Sequence, residues 1–86
     1  MSSIDEIRAH LASTSEQATA VLGMLAQAAQ ELDAIRAQIA QAAQGSNHPA
    51  ITEADGLYAT GLDQLSQLQP LVAAAQNATT TYLHNL

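Results

Sequence analysis

The chain has 86 residues, and its eight carboxylates and two arginines give a formal net charge of −6. This length supports one small domain, residues 1–86. The low count of positive side chains excludes nucleic acid as a partner, because phosphate binding needs several lysines or arginines. Cysteine is absent, so disulfides and thiolate metal sites are excluded. No apolar run approaches the roughly 18 to 20 residues that cross a bilayer, so we expect no membrane insertion.

The first half of the chain carries an apolar heptad repeat. Spacings that alternate between three and four residues give an apolar residue at eleven of twelve positions from Ile4 to Ala42. With Ile4 at position a, this pattern predicts a helix whose a and d residues form one seam. Ser3 and Glu6 have the spacing of a capping box, and Gly45 follows where a left-handed residue ends a helix. We therefore predict a first helix over about 3–44.

A second apolar repeat, from Ile51 to Leu86, is out of phase with the first. One unbroken helix would place the two stripes on different faces, so the chain must turn at Gly45–Pro49. Asn47 or His48 can cap the second helix, with Pro49 at its first position. These signals predict an all-α fold, an antiparallel helical hairpin whose second helix covers about 50–84.

Two features of the second helix leave alternatives open. Thr52 and Asp55 form a competing capping pair that would start the helix later. Pro70 removes one backbone hydrogen bond, but it lies at the outward position f. We predict that it bends an unbroken helix, and the alternative is a break near Gln69.

Six large apolar side chains lie beside the predicted seam, at positions e and g. Because an alanine-rich seam gains little against roughly 1–2 kcal/mol of backbone entropy per residue, the hairpin alone should be marginally stable. We expect a second hairpin to dock on these side chains and complete a four-helix bundle. The alternative is that they only widen the intramolecular seam. The predicted partner interface consists of Leu22, Leu62 and Leu83 on one side and Met24, Leu57 and Leu71 on the other.

Catalytic, cofactor and metal sites are not expected from this sequence. His10 and His84 fall near the same end of the hairpin, but His84 points outward and no carboxylate pair joins them. The acidic residues are spread over different helix faces, so they do not form the converging pair that acid and base catalysis needs. The sequence therefore predicts a non-enzymatic protein without a cofactor.

In architecture the chain resembles the WXG-motif family of small type VII secretion proteins and related actinobacterial toxin-associated hairpins. The resemblance rests on two long helices, an acidic charge, and the absence of cysteine and of an N-terminal signal peptide. The family's Trp-x-Gly has no counterpart in the turn Gly45–Pro49. Its tyrosine followed four residues later by an acid is also absent, since Tyr82 leads to Leu86.

This resemblance implies an interaction protein, either a partner or a targeting or chaperone subunit in a type VII-like secretion or toxin system. Its partner would be a second copy, another helical hairpin or the N-terminal helices of a toxin. It would be cytoplasmic, or secreted without a cleaved signal peptide. The alternative is a structural homo-oligomeric coiled-coil subunit that forms a bundle or filament.

Overall fold

The computed structural model describes residues 3–86 and consists of two long antiparallel α-helices. Helix α1 spans Ile4–Ala42 and helix α2 spans Pro49–His84, with no strand in the described range. The hairpin is 65 Å long and 18 by 15 Å across. The predicted all-α helical hairpin is confirmed, and the helix bounds lie within about two residues of those expected.

Both ends of α1 follow the local signals in the sequence. The Glu6 backbone N–H donates to the Ser3 hydroxyl at 3.1 Å, so Ser3 is the N-cap. After the helix, Gly45 has φ of +81°, a left-handed conformation that other residues adopt only with strain. The backbone N–H of Ser46 then donates to the carbonyl oxygen of Ala43 at 2.8 Å. These contacts turn the chain back toward α2.

Helix α2 begins at Pro49, and His48 is its N-cap. The Nδ1 atom of His48 accepts a hydrogen bond from the Ala50 N–H at 3.1 Å. Proline suits this first position because its missing N–H would have no helical partner there. The later start at Thr52 is therefore wrong, and Asp55 is engaged elsewhere in the hairpin.

Helix α2 continues through Pro70 without a break. Pro70 is exposed, whereas its neighbour Gln69 is half-buried between the helices. The ring therefore projects away from α1, where it disturbs only the local backbone hydrogen bonding. The alternative of two shorter helices separated near Gln69 is wrong.

The seam between the helices uses heptad positions a and e along most of its length. The a residues are half-buried from Leu11 to Ile39 and from Ile51 to Leu86. Six of the eleven d residues that the sequence assigned to the seam are exposed instead, and the large ones among them are Val21, Leu68 and Tyr82. The half-buried e residues are Ser15, Leu22, Ala29, Arg36 and Ala43 in α1 and Asp55, Leu62, Gln69, Gln76 and Leu83 in α2.

The side chains at positions d and e explain this rotation. At position e, Leu22 and Leu62 lie half-buried between the helices. Arg36 and Gln76, also at position e, hydrogen-bond to the opposite helix. A Cβ added at Gly61 would lie 3.6 Å from the Cδ1 atom of Leu32, an ordinary contact. Gly61 is therefore not required for a close approach of the helices.

No side chain in residues 3–86 is fully buried. Each helix has only one neighbour, so every residue of the seam keeps part of its surface in contact with solvent. A hairpin of this kind lacks the enclosed core that stabilises larger domains.

Candidate docking face

The hairpin has two chemically different sides. Two antiparallel helices are related by a two-fold axis perpendicular to their common plane, so a given heptad letter lies on the same side in both. Positions b and e therefore border one side, and positions d and g border the other. We define the polar flank as Ser15, Thr19, Arg36, Asp55 and Gln76. We define the apolar face as Val21, Met24, Leu57, Leu68, Leu71 and Tyr82.

An ion pair joins the helices on the polar flank, near the turn. The Nε atom of Arg36 donates to Asp55 Oδ1 at 2.9 Å, and its Nη2 atom donates to Oδ2 at 3.2 Å. This two-point hydrogen bonding lowers the pKa of Asp55 below its ordinary value and raises the pKa of Arg36. The pair fixes the alignment of α1 and α2 at this end.

A second polar contact crosses the same flank nearer the open end of the hairpin. The Nε2 atom of Gln76 donates to the Ser15 carbonyl oxygen at 2.9 Å and to the Thr19 hydroxyl at 2.7 Å. It also lies 3.4 Å from the Ser15 hydroxyl. The side chain of Gln76 thus occupies the polar groups of this flank, which are not free to bind a partner.

An open groove lies on the polar flank beside the ion pair. Its lining includes Arg36 and Asp55 together with Ile39, Ala43 and Ile51. Arg36 and Asp55 bind each other, so neither is available to hold a ligand without breaking that contact. Residues 3–86 contain no cluster of three potential metal ligands.

The apolar face carries large side chains that the hairpin leaves in solvent. Met24 and Leu71 are each 66% exposed and Leu57 is 65% exposed, while Tyr82 is 54% exposed. Val21 and Leu68, both 41% exposed, link them near the middle of the hairpin. Isolated exposed apolar residues are common on proteins, but several on one side indicate an interaction surface.

The apolar face is also nearly free of charge. Among the d and g positions of both helices, the only carboxylate is Glu31, the only other titratable groups are His10 and Tyr82, and neither arginine is present. Seven of the eight acidic residues therefore lie on other sides of the hairpin. A chain with a net charge of −6 thus presents one side on which Glu31 is the only carboxylate.

The six residues predicted as a partner interface divide into two groups of three. Leu22, Leu62 and Leu83 are half-buried at position e, between the helices. Met24, Leu57 and Leu71 are exposed at position g, on the apolar face. The predicted turn residues, Gly45 and Pro49, lie at the turn as expected.

Sequence reasoning missed three members of the apolar face. Val21, Leu68 and Tyr82 are at position d, and the heptad pattern placed them in the seam. A spacing of three residues joins Val21 to Met24 and Leu68 to Leu71, which was the available signal for a second apolar stripe.

Neither helix of the described range has an apolar stretch long enough to cross a membrane. The chain matches no family model, and no curated protein or solved structure is significantly similar to it.

Proposed function

We propose that this protein is a non-enzymatic interaction module that binds a helical partner along its apolar face. The observation that carries the proposal is the side of the hairpin with only one carboxylate, where six large apolar side chains are 41% to 66% exposed. The opposite side has its polar groups joined across the two helices. One side of the hairpin is thus closed by its own contacts, and the other is open.

Covering the apolar face with a partner would contribute a free energy comparable in size with the cost of association. Fully burying a large apolar side chain contributes about 1.5–3 kcal/mol, so covering six partly exposed ones gives on the order of 5–10 kcal/mol. Association costs about 4–15 kcal/mol in lost freedom of motion, so these six alone give weak binding. A strong complex therefore needs a partner that follows much of the 65 Å hairpin.

Another helical hairpin is the partner class that this shape fits best. Two long helices lying side by side offer a surface against which two further helices can pack, which completes a four-helix bundle. The architectural resemblance to type VII hairpins favours a role as partner, targeting or chaperone subunit in such a secretion or toxin system. A helical hairpin encoded beside this gene is therefore the first partner to test.

The test compares two double variants that add the same charge on different sides. Met24→Glu with Leu71→Glu places two carboxylates in the apolar face, whereas Ala20→Glu with Ala74→Glu places them at exposed c positions. Leu22 is avoided because it lies between the helices, where a carboxylate would unfold the hairpin. Each variant is co-expressed with the neighbouring hairpin, and the mass of the complex is measured by light scattering.

We expect the Met24 and Leu71 variant to lose the complex while its helix content, measured by circular dichroism, stays at the wild-type level. The Ala20 and Ala74 variant should retain the complex. If both double variants bind as well as the wild type, the apolar face is not the binding surface and the proposal is wrong.

A further inference from the structure

We infer that the apolar face binds a second copy of this chain, with the two hairpins antiparallel. This inference rests on the proposed function, because it names the partner of the same face. It also gives a definite symmetry to the homo-oligomeric alternative suggested by the sequence.

The spacing of the exposed apolar residues along α2 is palindromic. Leu57 and Leu68 are 11 residues apart, Leu68 and Leu71 are three apart, and Leu71 and Tyr82 are again 11 apart. When α2 packs antiparallel to its own copy about a point between residues 69 and 70, Leu57 meets the other copy's Tyr82. Leu68 likewise meets the other copy's Leu71. Such reciprocal contacts are the signature of a two-fold symmetric interface.

Helix α1 has its own symmetric pair at the same level of the hairpin. Val21 and Met24 are centred between residues 22 and 23. Counting inward from the Arg36–Asp55 contact at one end and the Ser15–Gln76 contact at the other brings residues 22 and 23 level with residues 69 and 68. The centres of symmetry of the two helices thus lie within one residue of the same level, about 1.5 Å along the axis. One two-fold axis can therefore relate both helices of one copy to both helices of the other.

The distribution of charge favours the antiparallel arrangement over one with the turns at the same end. The half nearer the turn holds five carboxylates and one arginine, and the open half holds three carboxylates and one arginine. Antiparallel packing places each acidic turn half against the less acidic open half, which reduces repulsion between like charges. Glu31, the one carboxylate on the same side as the apolar face, then lies opposite the uncharged Thr14 of the other copy.

The size of the face is sufficient for such a dimer. A surface 65 Å long and at least 15 Å across is comparable with the roughly 800 Å² that each partner contributes to a standard interface. Small residues also meet small residues in this arrangement, since Gly61 lies opposite Ala78 of the other copy. The large side chains can then approach without being held apart.

The first experiment measures the mass of the purified chain by sedimentation equilibrium over a range of concentrations. We expect a monomer–dimer equilibrium, and Met24→Glu with Leu71→Glu should raise the dimer dissociation constant by at least about 100-fold. The Ala20→Glu, Ala74→Glu variant should dissociate as the wild type does. A wild-type chain that stays monomeric at all concentrations overturns the inference.

The second experiment determines the orientation with spin labels, which the absence of native cysteine makes selective. Glu53→Cys and Gln67→Cys each place one label at an exposed c position, outside the apolar face. In the antiparallel dimer the two labels at position 53 are separated by about 50 Å along the axis, at 1.5 Å per residue. The two labels at position 67 should be about 20–25 Å apart, the width of two stacked helices.

A short distance between the two labels at position 53 would mean that the turns lie at the same end, and the antiparallel dimer would be wrong.

Failure of the second-copy inference can be distinguished from failure of the proposed function. A monomeric chain that still binds a different hairpin through Met24 and Leu71 refutes only the second copy. A chain whose face variants bind every partner as the wild type does refutes both.

Discussion

The guanidinium of Arg36 contacts the carboxylate of Asp55 through two hydrogen bonds of 2.9 and 3.2 Å. These bonds join α1 to α2 near the turn, at the opposite end of the hairpin from the chain termini. Nineteen residues separate Arg36 and Asp55 in sequence, so the contact exists only when the hairpin is closed. Together with the contacts of Gln76 nearer the open end, it makes one side of the molecule polar, with its polar groups hydrogen-bonded to each other within the hairpin.

The first prediction concerns the pH dependence of this contact. Asp55 has a lowered pKa, so its contribution to stability is present above the unfolded value, taken as 3.8, and is lost as the pH falls through the lower folded value. Asp55→Asn should therefore lower the melting temperature by a few degrees at pH 7. The difference from the wild type should narrow below about pH 4.

Asp63→Asn is the matched control for this measurement, because it removes the same charge from an exposed position of α2. Thermal unfolding followed by circular dichroism at pH 7 and pH 3 gives the comparison. Equal changes for Asp55→Asn and Asp63→Asn would show that the contact with Arg36 contributes nothing beyond general charge.

The second prediction concerns the donor role of Gln76. Gln76→Glu keeps the shape of the side chain but replaces the amide N–H groups, which donate to Ser15 and Thr19, with a carboxylate oxygen. The carboxylate would face the Ser15 carbonyl oxygen, so we expect the free energy of unfolding to fall by about 1–2 kcal/mol at neutral pH. Urea denaturation measures this change.

Gln30→Glu serves as the control, since it makes the same substitution at an exposed position f of α1. It should change the free energy of unfolding much less. If the two variants are equally stable, the hydrogen bonds of Gln76 do not hold the hairpin together.

The third prediction compares alanine substitutions at Gly61, which is helical, and at Gly45, which has a left-handed backbone conformation. Gly61→Ala should raise the free energy of unfolding by up to about 1 kcal/mol, because alanine favours the helix and its Cβ would meet Leu32 at an ordinary 3.6 Å. Gly45→Ala should lower it by about 1–2 kcal/mol, because φ of +81° is strained for any residue with a Cβ.

Chemical denaturation of both variants at a fixed protein concentration measures the two effects. Gly23→Ala is the reference for an open helix surface, because its added Cβ would have no atom within 4 Å beyond its chain neighbours and the backbone of its own helix. A loss of stability in Gly61→Ala but not in Gly23→Ala would mean that the helices approach more closely at position 61 than described.

Much of the fold follows from local sequence signals. The two heptad repeats, the capping Ser3 and the left-handed Gly45 act within a few residues of themselves, and the structure has the helices and turn where these signals predict them. The start of α2 was ambiguous because Pro49 and Thr52 both offer valid local solutions. The choice of Pro49 depended on His48 as cap, and Asp55 was occupied by Arg36 from the other helix.

The sequence by itself determined that this chain forms two amphipathic helices, that it turns between them, and that its apolar residues exceed what one seam can use. Only the tertiary structure decided which apolar residues lie in the seam and which stay exposed. At 100° per residue, position d lies about 60° to one side of position a, and position e lies about 40° to the other. A heptad pattern with apolar residues at both positions cannot distinguish them, because the choice depends on the side chains of the opposing helix. Packing of Leu22 and Leu62, with the contacts of Arg36 and Gln76, turned e inward and left Val21, Leu68 and Tyr82 exposed.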